Sequence, residues 1–190
     1  MQWVFGAIEE TLPIIVFFVV QDQVSFVAGV AAMCLTLLLL LIYAYLTAQA
    51  VPRFALVSTI AFMVFALPTL LTGDAWYFQL SDTVLDGVFA LLLLVSWYAG
   101  YPVLKLLFGS IFAITDEAWQ QLALRWGLLF LILAVLNESI RQTQSIEVWS
   151  VFKLIATIGI LLFGCYQFTL SAKRRIPGES NRLGLRVVQK

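Results

Sequence analysis

The chain alternates long apolar runs with short clusters of charge and turn residues. No charged residue falls between Asp22 and Arg53, and the run from Val24 to Leu46 predicts a first membrane-spanning helix. A span needs roughly 20 apolar residues. Further runs predict spans over about 54–71, 83–98, 119–139 and 148–172. Pro68 should loosen the end of the second span, and Thr72-Gly73-Asp74 should terminate it. Trp76, Tyr77 and Phe78 then read as an interfacial aromatic cluster, as do Tyr43 and Tyr45 at the end of the first span. Ser81 or Asp82 is placed to cap the third span, which Gly100-Tyr101-Pro102 ends. The apolar run Leu12–Val20 is too short to cross hydrocarbon, and Glu9 and Glu10 stop it extending backwards. With Pro13 suited to a first helical turn, residues 1–21 read as an interfacial or re-entrant helix, with a sixth, distorted span as the rival reading.

The polar positions inside this pattern are few. Ala28, Gly29 and Ala32 permit close helix approach, although such residues also occur on lipid faces. Asp86 falls near the start of the third span, where it suits the helix dipole and can reach the headgroups. Between the third and fourth spans, Val103 to Phe112 surround the single base Lys105, predicting a short helix on the membrane surface. Thr115-Asp116-Glu117 then favours a helix start, without the reciprocal Glu of a full capping box. In the fourth span Trp119 and Trp126 share a face, and Arg125 beside them can snorkel to the interface. Asn137 and Glu138 lie at its far end. The polar turn from Arg141 to Glu147 leads to Trp149 and Lys153 at the start of the fifth span. Glu138 can pair with Lys153 across this hairpin or with Arg141 at i,i+3, or each can reach its own interface.

Composition fixes the solvent. The chain is 62% apolar and 12% charged, with a mean hydropathy of +0.98, against about a quarter charged for soluble domains. The reading is an all-α membrane protein: a five-span transmembrane helix bundle with a short N-terminal interfacial helix. Residues 1–172 form the membrane domain and residues 173–190 a basic, disordered tail. The N-terminus carries no basic region of a cleaved signal peptide.

Net charge is zero, yet six of the eleven Lys and Arg (Lys173, Arg174, Arg175, Arg182, Arg186, Lys190) lie in the tail. With Arg53, Lys105 and Arg125 they fall on one side of a five-span topology, which makes that side cytoplasmic and the N-terminus periplasmic. Such a tail is a topology determinant rather than a nucleic-acid contact. The sequence has no histidine, and Cys34 and Cys165 each sit in an apolar run as packing or lipid-facing thiols. No Ser/His/Asp or Cys/His set, phosphate loop or carboxylate cluster is present, so no catalytic residue, cofactor or metal is assigned. The candidate contact residues are Asp86, Lys105, Trp119, Arg125, Trp126, Asn137, Glu138, Arg141, Trp149 and Lys153.

These residues carry a likeness. Pro102-Val103-Leu104-Lys105, Leu107-Phe108-Gly109-Ser110, Thr115-Asp116-Glu117 with Trp119, Arg125-Trp126, Leu129-Phe130, Ala134-Val135-Leu136-Asn137-Glu138, Gln144-Ser145, Trp149 and Phe152-Lys153 follow in an order that resembles the bacterial intracellular septation protein A family. Pro13, Phe17-Phe18 and Phe89-Ala90-Leu91-Leu92 also fit. The resemblance covers about residues 1–170. Two basic positions differ: Ser81-Asp82-Thr83 stands where the family usually has Lys-Pro-Thr, and Gly100-Tyr101-Pro102 where it often has Gly-Lys-Pro. The resemblance implies a multi-pass inner-membrane protein of envelope integrity and septation, not an enzyme, whose partners are the bilayer and division or wall-elongation membrane proteins. A small transporter or channel is the alternative. It would need polar groups converging at mid-bilayer, where only Thr36, Ser58, Thr59 and Ser96 are available.

Overall fold

A computed structural model shows seven helices and describes residues 2–48 and 53–187. The helices are α1 (Gln2–Gln23), α2 (Phe26–Ala48), α3 (Arg53–Thr72), α4 (Trp76–Tyr98), α5 (Val103–Phe108), α6 (Asp116–Thr143) and α7 (Ile146–Lys173). Among the described residues, Phe26–Thr47, α4, α6 and α7 are long and apolar enough to cross a membrane. Thr11–Gln23 and Thr59–Thr72 are shorter apolar stretches. The expected all-helical membrane architecture is therefore present. The connection expected around Val51 and Pro52 lies outside the described residues.

The chain divides into two compact units, residues 1–81 and 82–190. In the first, α1 folds back on α2 through Val24 and Ser25. The N-terminal segment is one continuous helix of 22 residues rather than a short one. Pro13 lies within it instead of opening it, at the cost of one backbone hydrogen bond. A Cβ on Gly29 would stand 2.9 Å from the Phe17 carbonyl oxygen, so this glycine is a helix contact and not a lipid-facing residue. Phe17 and Phe78 form the centre of this unit. Their rings stack at 5.4 Å, with Phe26 and Phe62 edge-on to Phe78 at 5.6 and 5.4 Å. Phe78 is thus core, whereas its neighbour Trp76 stays 45% exposed. The expected interfacial cluster therefore splits.

The third span begins earlier than the sequence suggested. Gly73 takes a left-handed φ of 74°, and the Asp74 carboxylate accepts from the Trp76 amide at 2.8 Å. Asp74, not Ser81 or Asp82, therefore starts α4. Asp82 falls inside the helix, and Asp86 lies ten residues past its start rather than in the first turns. At the other end Gly100 takes a φ of 70°. The Ser96 hydroxyl closes this turn, donating to the Tyr101 carbonyl and accepting from the Val103 amide.

In the second unit α6 and α7 form a hairpin across Gln144 and Ser145. The Thr115 hydroxyl caps α6 by accepting from the Ala118 amide. Trp119, Leu122, Ile114 and Leu170 make the core, with Phe112, Leu104 and Trp126 packed against it. The tail is folded over 174–187, contrary to the disorder expected from its polarity. Thr115 N donates to the Arg174 carbonyl and Ile176 N to the Ala113 carbonyl. Ala113 N donates to Gly184 and Arg186 N to Ile111, all within 2.8–3.0 Å. Backbone pairing of this kind requires no apolar side chains, and Gly178 and Gly184 supply the positive-φ turns.

Gly29→Ala should cost about 1–3 kcal/mol by forcing the α1–α2 backbones apart, read as a lower melting temperature in detergent. Gly159 faces open space, and Gly159→Ala should leave melting unchanged or raise it slightly.

Candidate functional site

Three helix segments bring polar side chains together at one end of the second unit: α4 from Asp82, the last turns of α6 and the first turns of α7. The side chain at the centre is Asn137, 1% exposed. Its Nδ2 donates to Thr83 Oγ1 at 2.8 Å, and its Oδ1 accepts from Trp149 Nε1 at 2.8 Å. Thr83 in turn donates to Glu138 Oε2 at 3.0 Å. One amide thus ties α4, α6 and α7 through both of its polar atoms. In an apolar surround an amide left unpaired costs several kcal/mol, which makes the geometry hard to abandon.

The charges sort into two pairs. Arg141 clasps Glu138 through two nitrogens, Nη2 to Oε1 at 2.5 Å and Nε to Oε2 at 3.1 Å, and Gln142 adds a third donor. Lys153 Nζ lies 2.5 Å from Asp82 Oδ2. The cross-hairpin pair between Glu138 and Lys153 is therefore not formed. The planar guanidinium one turn away on the same helix occupies the Glu138 carboxylate bidentately. The early start of α4 presents Asp82 to Lys153 instead. Both members of this second pair are largely sheltered, with side chains 16% and 28% exposed. Asp86 lies one turn further along α4, half-buried, and among the described residues it makes no hydrogen bond or ion pair.

The remaining candidates lie toward the other end of α6. Arg125 reaches across to α7, donating to Gln167 Oε1 at 3.1 Å and lying 5.9 Å from the centre of the Tyr166 ring. Trp119 is buried with Phe112 edge-on at 6.4 Å. Trp126 stacks on Phe130 at 5.8 Å and meets Phe163 edge-on at 5.0 Å. Lys105 on α5 pairs with Asp116 at 2.6 Å. The ten candidates thus divide. Asn137, Glu138, Arg141, Trp149 and Lys153 come together, Asp86 stands just beside them, and Lys105, Trp119, Arg125 and Trp126 belong to the opposite end of α6.

Sequence reasoning missed Thr83, Gln142, Gln167 and Tyr166 as partners, and read Asp82 only as a cap. The i,i+4 spacing of Asp82 and Asp86 was the one available sign that both acids share a helix face. Two of the hydroxyls considered for a mid-bilayer path, Thr36 and Ser96, serve the backbone. Thr36 donates to the Ala32 carbonyl, Ser96 closes a turn, and the Ser58 side chain lies outside the described residues. Among the described residues no group of three or more His, Cys, Asp or Glu is placed to hold a metal ion.

An all-helical chain with four helices long and apolar enough to cross a bilayer among its described residues, and few charges along them, is a multi-pass membrane protein. Residues 6–175 match the family model described as intracellular septation protein A, and the chain belongs to that family. The inner membrane-spanning protein YciB of Afipia carboxidovorans is 30% identical over 173 residues, covering 90% of this chain and 86% of that one. Its namesake from a Bradyrhizobium species is 32% identical over 167 residues, covering 87% and 84%. That of Rickettsia bellii is 26% identical over 181 residues, covering 91% and 97%. No solved structure matches the chain.

Reversing one member of the sheltered pair, Lys153→Asp, should destabilise the protein by about 2–4 kcal/mol by leaving like charges together in a dry site. Adding Asp82→Lys should restore much of the loss, whereas adding Glu138→Lys should not. Thermal melting of the purified variants distinguishes the two partners. Asn137→Ala should cost about 1–3 kcal/mol by removing the acceptor of the Trp149 indole and the donor to Thr83 Oγ1, and combining it with Trp149→Phe should cost less than the sum of the two.

Proposed function

We propose that the protein maintains envelope integrity and septation from within the cell inner membrane, through helix contacts with division and wall-synthesis membrane proteins. The family supports the septation role. The observation that supports contact rather than transport is the mutual pairing of the polar groups: Asp82 with Lys153, Glu138 with Arg141, and Asn137 with Thr83 and Trp149. Groups arranged this way brace helices against one another. Outward, α4, α6 and α7 present Leu91, Leu92, Val95, Ile132, Val135, Ile155 and Leu162, each more than half exposed. These flanks suit lipid or a partner's helix.

In this reading the tail is cytoplasmic and the Asn137 cluster lies at the periplasmic interface. The 28 residues of α6 rise about 42 Å, enough to set the two ends at opposite headgroup layers. The bracing cluster would then hold the partner-facing flanks in register, so its loss should mimic deletion.

Three experiments test this reading. In a strain lacking the gene, Lys153→Asp should fail to correct cell shape and osmotic sensitivity, and the Asp82→Lys, Lys153→Asp double variant should correct both. Proximity labelling from the native chain should recover membrane proteins of division or wall synthesis, and their absence from the labelled set counts against the proposal. Fusion of a reporter after residue 190 should report the cytoplasm.

A further inference from the structure

The folded tail creates a second site. Residues 174–187 pair with the segment 111–115, and between this ribbon, α5 and the start of α6 lies a cavity of about 430 Å³. Its walls include Lys105, Asp116, Glu179 and Arg186, with the rings of Phe112 and Trp119. The charges stand as two separate pairs, Lys105–Asp116 at 2.6 Å and Arg186–Glu179 at 3.0 Å. Arg186 Nε also donates to the Gly109 carbonyl at 3.1 Å, which holds the guanidinium on the rim. All four side chains are 42–71% exposed, so the pairs are screened by water and open at little cost.

We propose that this cavity binds the headgroup of a zwitterionic phospholipid, with phosphate on Lys105 and Arg186 and primary ammonium on Asp116 and Glu179. The charge pattern selects the ligand. A purely anionic headgroup would satisfy the two cations but set its phosphate against two carboxylates. A headgroup carrying both signs sets its phosphate between the two cations and its ammonium between the two carboxylates, and adds no net charge to the site. The location selects lipid over a soluble zwitterion. On α5, the same short helix that supplies Lys105 to the cavity, Leu106 and Leu107 are 81% and 61% exposed, an apolar surface on which acyl chains can lie. The tail supplies Glu179 and Arg186, so the site exists only while the ribbon is docked. Gly184 secures that docking, because its φ is 82° and a Cβ there would stand 2.8 Å from the Ser171 carbonyl oxygen.

The test uses the full chain in nanodiscs of mixed phosphatidylethanolamine and phosphatidylglycerol, followed by native mass spectrometry of retained lipid. The wild-type protein should be enriched in phosphatidylethanolamine over the bulk ratio. Lys105→Ala and Arg186→Ala should each lower its retention about tenfold, the worth of one charged hydrogen bond. Asp116→Asn with Glu179→Gln should shift retention toward phosphatidylglycerol. Gly184→Val should abolish selectivity while making the undocked tail more sensitive to trypsin. Lys105→Ala touches no tail residue and should lose lipid with trypsin resistance intact, which separates binding from tail folding. Retention in the bulk ratio, or carboxamide variants that keep the wild-type preference, would overturn the proposal. So would complete displacement of lipid by glycerophosphoethanolamine at equal concentration, which would assign the site to a soluble ligand.

Discussion

A polar group in hydrocarbon has no water to fall back on, so it must find its partner within the protein. The contact among Asn137, Thr83 and Trp149 meets that condition for three helices at once. Removing the amide would take away the indole's acceptor and leave the Thr83 hydroxyl bonded only to Glu138, so the cluster acts as a single fastening. The ion pairs around it obey the same requirement with larger stakes, since an isolated charge in a dry site costs far more than an isolated dipole. Apolar packing alone drives membrane helices together weakly, because lipid tails are as apolar as leucine. Relative position in the second unit is accordingly set by a handful of polar contacts.

α6 connects the two polar regions of that unit. One end carries Asn137, Glu138 and Arg141. The other carries Asp116 and Trp119, beside the docked tail. Between them Gly127 lets α4 approach, since a Cβ there would stand 2.9 Å from Leu94, and Arg125 spans to Gln167. The helix is thus tied to its neighbours along its length, by polar contacts near each end and by close packing between. Such an arrangement favours a stiff element that keeps both ends in a constant relation over one that bends between them.

Much of this was readable from residue order. Helix existence, the short helix α5, the Thr115 start and the α6–α7 hairpin follow from apolar run length and turn residues. The likeness to the septation family followed from spaced residues such as Thr115-Asp116-Glu117 and Asn137-Glu138. What was not readable were choices between competing partners. Glu138 had two bases within reach, and the nearer, planar one took it. The start of α4 hinged on whether Asp74 or Asp82 capped, and the aromatic residues between them have no strong preference either way. The tail misled because polarity measures the lack of a core, whereas a ribbon of backbone hydrogen bonds needs only suitable turns and a neighbouring strand-like edge. The Asn137–Trp149 bond joins residues that either reading of the hairpin places near each other, but nothing in their types announces it.

The turns that bound α4 carry one more implication. Left-handed glycines stand at both ends, Gly73 before the Asp74 cap and Gly100 beyond the Ser96 closure. These turns fix the residues at which the helix starts and stops. One residue gained or lost within it would rotate everything downstream by about 100°, carrying Asp82 and Thr83 away from their partners or forcing a turn to dissolve. Swapping one exposed apolar side chain of this rod for another should therefore disturb it less than adding or deleting a residue.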